Sequence, residues 1–154
     1  MGDTRRHEMF TRFISKTFPW AQEMLIIADG KAQISRKLAD REIRVRVIEA
    51  DPRYAGQPHP LITYEQDWFD RDTPVHEQLI IGLHPDEATA EIILAANKNR
   101  IPFAVVPCCV LGREAEGVRN NFFAWVKKLK SLAEECHEKE LNIDGRNLVL
   151  YRRR

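Results

Sequence analysis

Residues 87–106 read Glu-Ala-Thr-Ala-Glu-Ile-Ile-Leu-Ala-Ala-Asn-Lys-Asn-Arg-Ile-Pro-Phe-Ala-Val-Val, and this stretch decides the architecture. Ala88, Ile92, Ala95 and Ala96 recur at helical spacing, which predicts a helix over 87–99 with one apolar face. Pro102 then leads into Phe103 to Val106, four apolar residues without a polar break, as expected of a strand covered on both faces inside a parallel sheet. Gln78 to Leu83, just upstream, predicts a second such strand. Strand, helix and strand in this order make a right-handed crossover unit.

The same alternation extends in both directions. Toward the N-terminus, Met24 to Ala28 is an apolar run, Asp29-Gly30-Lys31 a tight turn, and Ile34 with Leu38 mark a helix. Arg44 to Ile48 alternates charged and apolar residues and is stopped by Glu49-Ala50-Asp51-Pro52; Leu61 to Tyr64 follows a loop bearing Gly56 and Pro58. That loop is too short to hold a helix. Phe10, Phe13, Ile14 and Phe18 predict an N-terminal helix within residues 1–20, ended by Pro19, that covers the sheet. Toward the C-terminus, residues 120–136 predict a long helix with Phe122, Phe123, Val126, Leu129 and Leu132 inward. Asp144-Gly145 signals a hairpin between Lys139 to Ile143 and Asn147 to Tyr151. The expected fold is therefore α/β: one domain over residues 1–154, a doubly wound sheet, mostly parallel, with a C-terminal antiparallel hairpin.

Composition narrows the function classes. A chain of 154 residues buries a real core but has no room for separate cofactor and substrate domains. With 24 Lys and Arg against 23 Asp and Glu, the net charge of +1 supplies no general attraction to nucleic acid or anionic lipid. The local basic clusters, Arg152 to Arg154 and Lys127, Lys128 and Lys130, read as a solvated tail and a solvated helix face. Three cysteines, two of them adjacent, indicate a reducing compartment, and short apolar runs argue against membrane spanning or export; a cytoplasmic protein is expected.

In a doubly wound sheet, ligands bind beyond the carboxyl ends of the strands where strand order reverses. Asp29, Gly30 and Lys31 occupy one such end, where glycine and exposed helix amides suit a ligand, although an ordinary strand-to-helix turn reads equally well. Glu49, nineteen residues after Gly30, is placed to accept hydrogen bonds from ribose hydroxyls. Asp67 suits an adenine amino group and Trp68 a stacking face, or else buried packing. Gly82 permits close approach, and His84 is a candidate to orient an acceptor or take its proton; a loop-fixing histidine is the alternative. Cys108 and Cys109 are either small buried hydrophobes or, given a partner that lowers a thiol pKa, nucleophiles. Adjacent cysteines lack the usual zinc spacing, so no metal is expected.

Two segments carry a resemblance. Gly82-Leu83-His84-Pro85-Asp86-Glu87-Ala88-Thr89 after one strand and Pro102-Phe103-Ala104-Val105-Val106-Pro107-Cys108-Cys109 on the next resemble class I methyltransferase-like proteins of the Leu-His and Cys-Cys type, distant relatives of the tRNA 2′-O-methyltransferases. More loosely, the likeness extends through Ala28-Asp29-Gly30-Lys31, Glu49 and Gly145-Arg146-Asn147. It implies a Rossmann-like domain that binds S-adenosylmethionine, with no metal in the transfer. Gly30 would pass the methionine moiety, Glu49 hold the ribose, Asp67 and Trp68 flank adenine, and His84 border the methyl-transfer cavity. It implies RNA, or a molecule associated with it, as acceptor. The first loop departs from the pattern, having fewer glycines and Lys31 beside a cationic sulfonium. A catalytically silent interaction module that still binds a nucleoside is therefore the competing reading.

Overall fold

The computed structural model describes residues 3–54 and 58–154; Gly56 of the second loop and the first two residues lie outside them. The elements are α1 (Arg6–Thr17), β1 (Glu23–Ile27), α2 (Gln33–Ala39), β2 (Arg44–Glu49), β3 (Ile62–Gln66), β4 (Leu79–Leu83), α3 (Thr89–Asn99), β5 (Phe103–Val106), α4 (Phe122–Leu132), β6 (His137–Glu140) and β7 (Leu148–Arg152). They build one seven-stranded sheet in the order β3-β2-β1-β4-β5-β7-β6. The first five strands run parallel, whereas β7 is antiparallel to both β5 and β6. The fold class read from the sequence is the one observed. Strand order reverses between β1 and β4, which fixes where a ligand crevice opens.

Strand alternation divides the core. Met24 and Ile26 of β1, with Val45, Val47, Leu79 and Ile81, face α1 and α2 through Phe10, Ile14, Ile34 and Leu38. Leu25 and Ile27, with Ile80, Phe103, Val105 and Leu150, face α3 and α4 through Ile92, Ala96, Trp125 and Leu129. Ala95 and Ala96 have no bulk beyond Cβ, so α3 lies close on the sheet. Among the described residues no helix is long and apolar enough to cross a membrane.

Three expectations are corrected. Phe123 points outward and is 87% exposed; Trp125, fully buried, takes the core position with Leu129 four residues on. Phe122 packs partly on the core beside Val126, and Phe123 lies on the opposite side of the helix from Trp125. The hairpin pairs His137 to Glu140 with Leu148 to Tyr151, earlier than expected, because Leu141 and Ile143 turn into the α1/α2 core. Arg152 is no tail residue. It is buried, and its guanidinium donates to Asn97 Oδ1 (2.6 Å) and to the carbonyls of Ala133 (2.9 Å) and Ile101 (3.0 Å), closing the ends of α3 and α4.

Candidate functional site

The carboxyl ends of β1, β2 and β4 converge on the switch point, and each brings residues singled out in the sequence. After β1 the chain turns through three left-handed residues, Ala28 (φ 61°), Gly30 (φ 56°) and Ala32 (φ 63°), a conformation costly for the two alanines. Asp29 inside this turn is buried, and its two oxygens accept the Ile34 and Ser35 amides (3.1 and 3.0 Å), which caps α2. Burial pushes its carboxyl up to about 6 against those hydrogen bonds, with the neighbouring Glu49 adding to the rise.

Glu49 ends β2 and joins the two loops: one oxygen accepts the Gly30 amide (3.0 Å), the other the Asp51 amide (3.1 Å). A carboxylate oxygen has two lone pairs, so Glu49 keeps acceptor capacity for further hydroxyls. Asp67 follows β3, donating its amide to the Glu49 carbonyl (3.2 Å) and accepting the Trp68 amide on its side chain (2.8 Å). Of the two readings of Trp68, burial is not the one observed. It is 68% exposed, and Phe69 fills the core instead.

These residues enclose a cleft of about 530 Å³ whose walls include Gly30, Glu49, Asp67, Trp68, His84 and Asp86, with Ile27 and Ile48 as an apolar floor. A second compartment of about 440 Å³ adjoins it, sharing Ala28, Gly30, Tyr54, His84 and Asp86 and adding Arg6, His7 and Lys31. Lys31 thus lies in the second compartment and not in the first. Gly82 lines neither. It is buried in β4, where a Cβ would meet Ile92 Cδ1 at 2.8 Å, so its role is close packing of α3 on the sheet.

His84 sits between the compartments in a left-handed conformation (φ 53°). Its Nε2 lies 3.1 Å from the Arg146 carbonyl, and a carbonyl only accepts, so the proton is on Nε2 and Nδ1 is a free acceptor. Burial holds its pKa below the usual histidine value, so the ring is neutral at neutral pH. His7 is likewise kept neutral, pushed down to about 4 by burial and by Arg6 and Lys37.

Cys108 and Cys109 follow β5 on the same edge, next to Asp86 from the end of β4. Burial, with Cys109 and Asp86 adjacent, pushes the Cys108 thiol up to about 12. The Cys108 thiol is hydrogen-bonded to Asp86 Oδ1 (3.6 Å) and Cys109 Sγ (3.4 Å), and His84 Nε2 is engaged with the Arg146 carbonyl.

Three further contributors follow no strand end and carry no motif. Arg6 and His7 enter because the N-terminal turn of α1 shares the second compartment with the turn after β1. Glu91, buried on α3, holds the segment after Asp67 through Arg71 (2.7 Å) and the segment after Cys109 through Arg113 (3.2 Å). Only an acid interrupting an apolar helix face hinted at it.

No known family profile and no curated protein matches this chain. Solved structures do match its fold. A sugar N-methyltransferase from Streptoalloteichus aligns over 98% of this chain and 87% of its own, with a TM-score of 0.66 at 14% identity. An amino pentose methyltransferase from Micromonospora, solved with S-adenosylmethionine bound, aligns over 96% and 90%, with a TM-score of 0.64 at 13% identity. Against a putative methyltransferase from an antibiotic pathway of Anabaena variabilis, the chain aligns over 90% of its own length but spans only 64% of that protein (TM-score 0.57, 13% identity). The fold is that of the class I S-adenosylmethionine-dependent methyltransferases.

Proposed function

We propose that this chain is an S-adenosylmethionine-dependent methyltransferase whose cofactor lies across the ends of β1, β2 and β4. The carrying observation is Glu49: an acid at the end of the second strand, on the cleft wall, tied to the glycine amide of the first loop. The cofactor fits what the cleft offers. Its volume is in the range of small-molecule sites, Glu49 has lone pairs for ribose hydroxyls, Asp67 an oxygen for an adenine amino group, and exposed Trp68 a stacking face. When bound, S-adenosylmethionine supplies a methyl group on a sulfonium, which is transferred by in-line displacement.

The chain's own residues then position the acceptor and take its proton. Neutral His84, with Nδ1 unprotonated at the junction of the compartments, is the base. Cys108 and Cys109 line neither compartment and do not attack, since the Cys108 thiol stays protonated. Arg6 and Lys31 favour an anionic acceptor in the second compartment, which supports the RNA acceptor implied by the sequence resemblance. Three free cysteines support a reducing, cytoplasmic setting.

One observation favours the silent-module reading. Ala28 and Ala32 hold left-handed positions where glycine would be unstrained, so the loop that must pass the methionine moiety is short of the glycines that favour close approach. Calorimetric titration with S-adenosylmethionine separates the two. Saturable binding that weakens at least ~10-fold in Glu49→Ala, with unchanged circular dichroism, is expected. No heat at millimolar cofactor overturns the methyltransferase reading and leaves the silent module.

A further inference from the structure

We propose that Asp86, Cys108 and Cys109 form a site for a thiophilic divalent cation of the zinc type. The topology makes the site: Leu83 and Val106 are register partners in adjacent parallel strands, so the two loops leave the sheet side by side. Asp86 on one loop meets Cys108 and Cys109 on the other. Their ligand atoms all lie within 4.8 Å of one another, with Cys108 Sγ 3.4 Å from Cys109 Sγ and 3.6 Å from Asp86 Oδ1.

These spacings are close to the edges of a coordination tetrahedron. With Zn–S of about 2.3 Å and Zn–O of about 2.1 Å, tetrahedral geometry sets S···S at about 3.8 Å and S···O at about 3.6 Å. The two sulfurs must open by about 0.4 Å, the Cys108–Asp86 edge already fits, and the Cys109–Asp86 edge lies within the 4.8 Å span of the cluster. The backbone supports the arrangement, because His84 and Asp86 both occupy left-handed conformations (φ 53° and 52°) in the turn that brings the carboxylate over the sulfurs.

Electrostatics point the same way. Among the described residues Asp86 is in no ion pair, so a carboxylate and two thiols are crowded together without a cation. A divalent cation reverses the sign of the local field; the two thiols bind as thiolates and release two protons to solvent. Adjacent cysteines do not advertise a metal in sequence, and the third ligand comes from 22 residues upstream. Three protein ligands leave a fourth position open, as in catalytic rather than structural zinc sites. Asp86 lines both compartments, so the cation sits at the rim where an acceptor would bind; that placement rests on the methyltransferase reading, whereas the binding itself does not.

The test uses the full, reduced chain titrated with cobalt(II) and then with zinc(II). One equivalent of cobalt giving sulfur-to-metal charge-transfer absorption in the near ultraviolet, displaced by zinc with proton release, is expected. The band should vanish in Cys108→Ser, weaken at least ~10-fold in affinity in Asp86→Asn, and persist in Cys136→Ser, whose cysteine lies outside the cluster. Asp86 and Cys109 are exposed, so Asp86→Asn and Cys109→Ser serve if Cys108→Ser fails to fold. Absence of the band in folded wild type, or its persistence in a Cys108→Ser, Cys109→Ser double variant, overturns the proposal. Titration with S-adenosylmethionine in the presence of a chelator keeps the readings apart: cofactor binding without metal binding sinks only this site, and metal binding without cofactor binding sinks only the methyltransferase.

Discussion

At the scale of single residues, Asp29 shows how one side chain can serve the fold while standing beside the site. Its folded-state pKa of about 6 lies above its ordinary 3.8, so the folded chain holds a proton that the unfolded chain has released. Its contribution to stability is therefore full at low pH and is lost as pH rises from about 4 to about 6, on the order of 2–3 kcal/mol. Asparagine does not titrate, but it offers one carbonyl oxygen to two helix amides, which costs about 1 kcal/mol of capping. Asp29→Asn should accordingly be destabilised most at pH 4 and gain on the wild type toward pH 7. Urea melts of both proteins at the two pH values measure this; a gap that widens with pH refutes it. Glu49, nearby and only partly buried, spends one acceptor site per oxygen on backbone amides and keeps the rest.

At the scale of elements, what the sequence revealed depended on whether burial or pairing decides the structure. β1, β4 and β5 are buried on both faces, so an unbroken apolar run specified each one. β6 reads His-Glu-Lys-Glu and is exposed throughout; it is a strand only because β7 pairs with it, and no local pattern carries that. The candidate site divides in the same way. Glu49, Asp67 and His84 could be located because they follow strands, whereas Arg6 and His7 reach the second compartment through the tertiary placement of α1. Asp86 acquires its neighbours only when β4 and β5 lie in register. Arg152 was misread because three consecutive arginines resemble a solvated tail, yet alternation along β7 turns the first inward. Arg152→Ala should cost roughly 2–5 kcal/mol, because it leaves carbonyls at the ends of two helices without a donor. Arg153→Ala, exposed on the same segment, should change stability by less than about 0.5 kcal/mol. Thermal melts of the two variants decide it, and equal effects would show that Arg152 does not hold α3 and α4 together.

Over the whole molecule, stability should grade from the centre of the sheet to its edge. β1 and β4 are central and paired on both sides, while β6 has a partner on one side and no buried side chain. Native-state hydrogen exchange should find β1 and β4 amides opening only with global unfolding, and β6 amides at least ~100-fold less protected. Uniform protection across the sheet would contradict this gradient. The charges along β6 also keep that edge from templating another strand.

The antiparallel insertion of β7 between β5 and β6 has a consequence for biosynthesis. The outer side of β5 gains its neighbour only from residues 148–152, so a nascent chain can assemble β1 to β5 with α1 to α3 while this edge stays open. During that interval Phe103 and Val105 lack the cover of Leu150. A chain cut short before residue 148 would leave an apolar sheet margin within reach of chaperones, and the presence of residues 148–152 would close it.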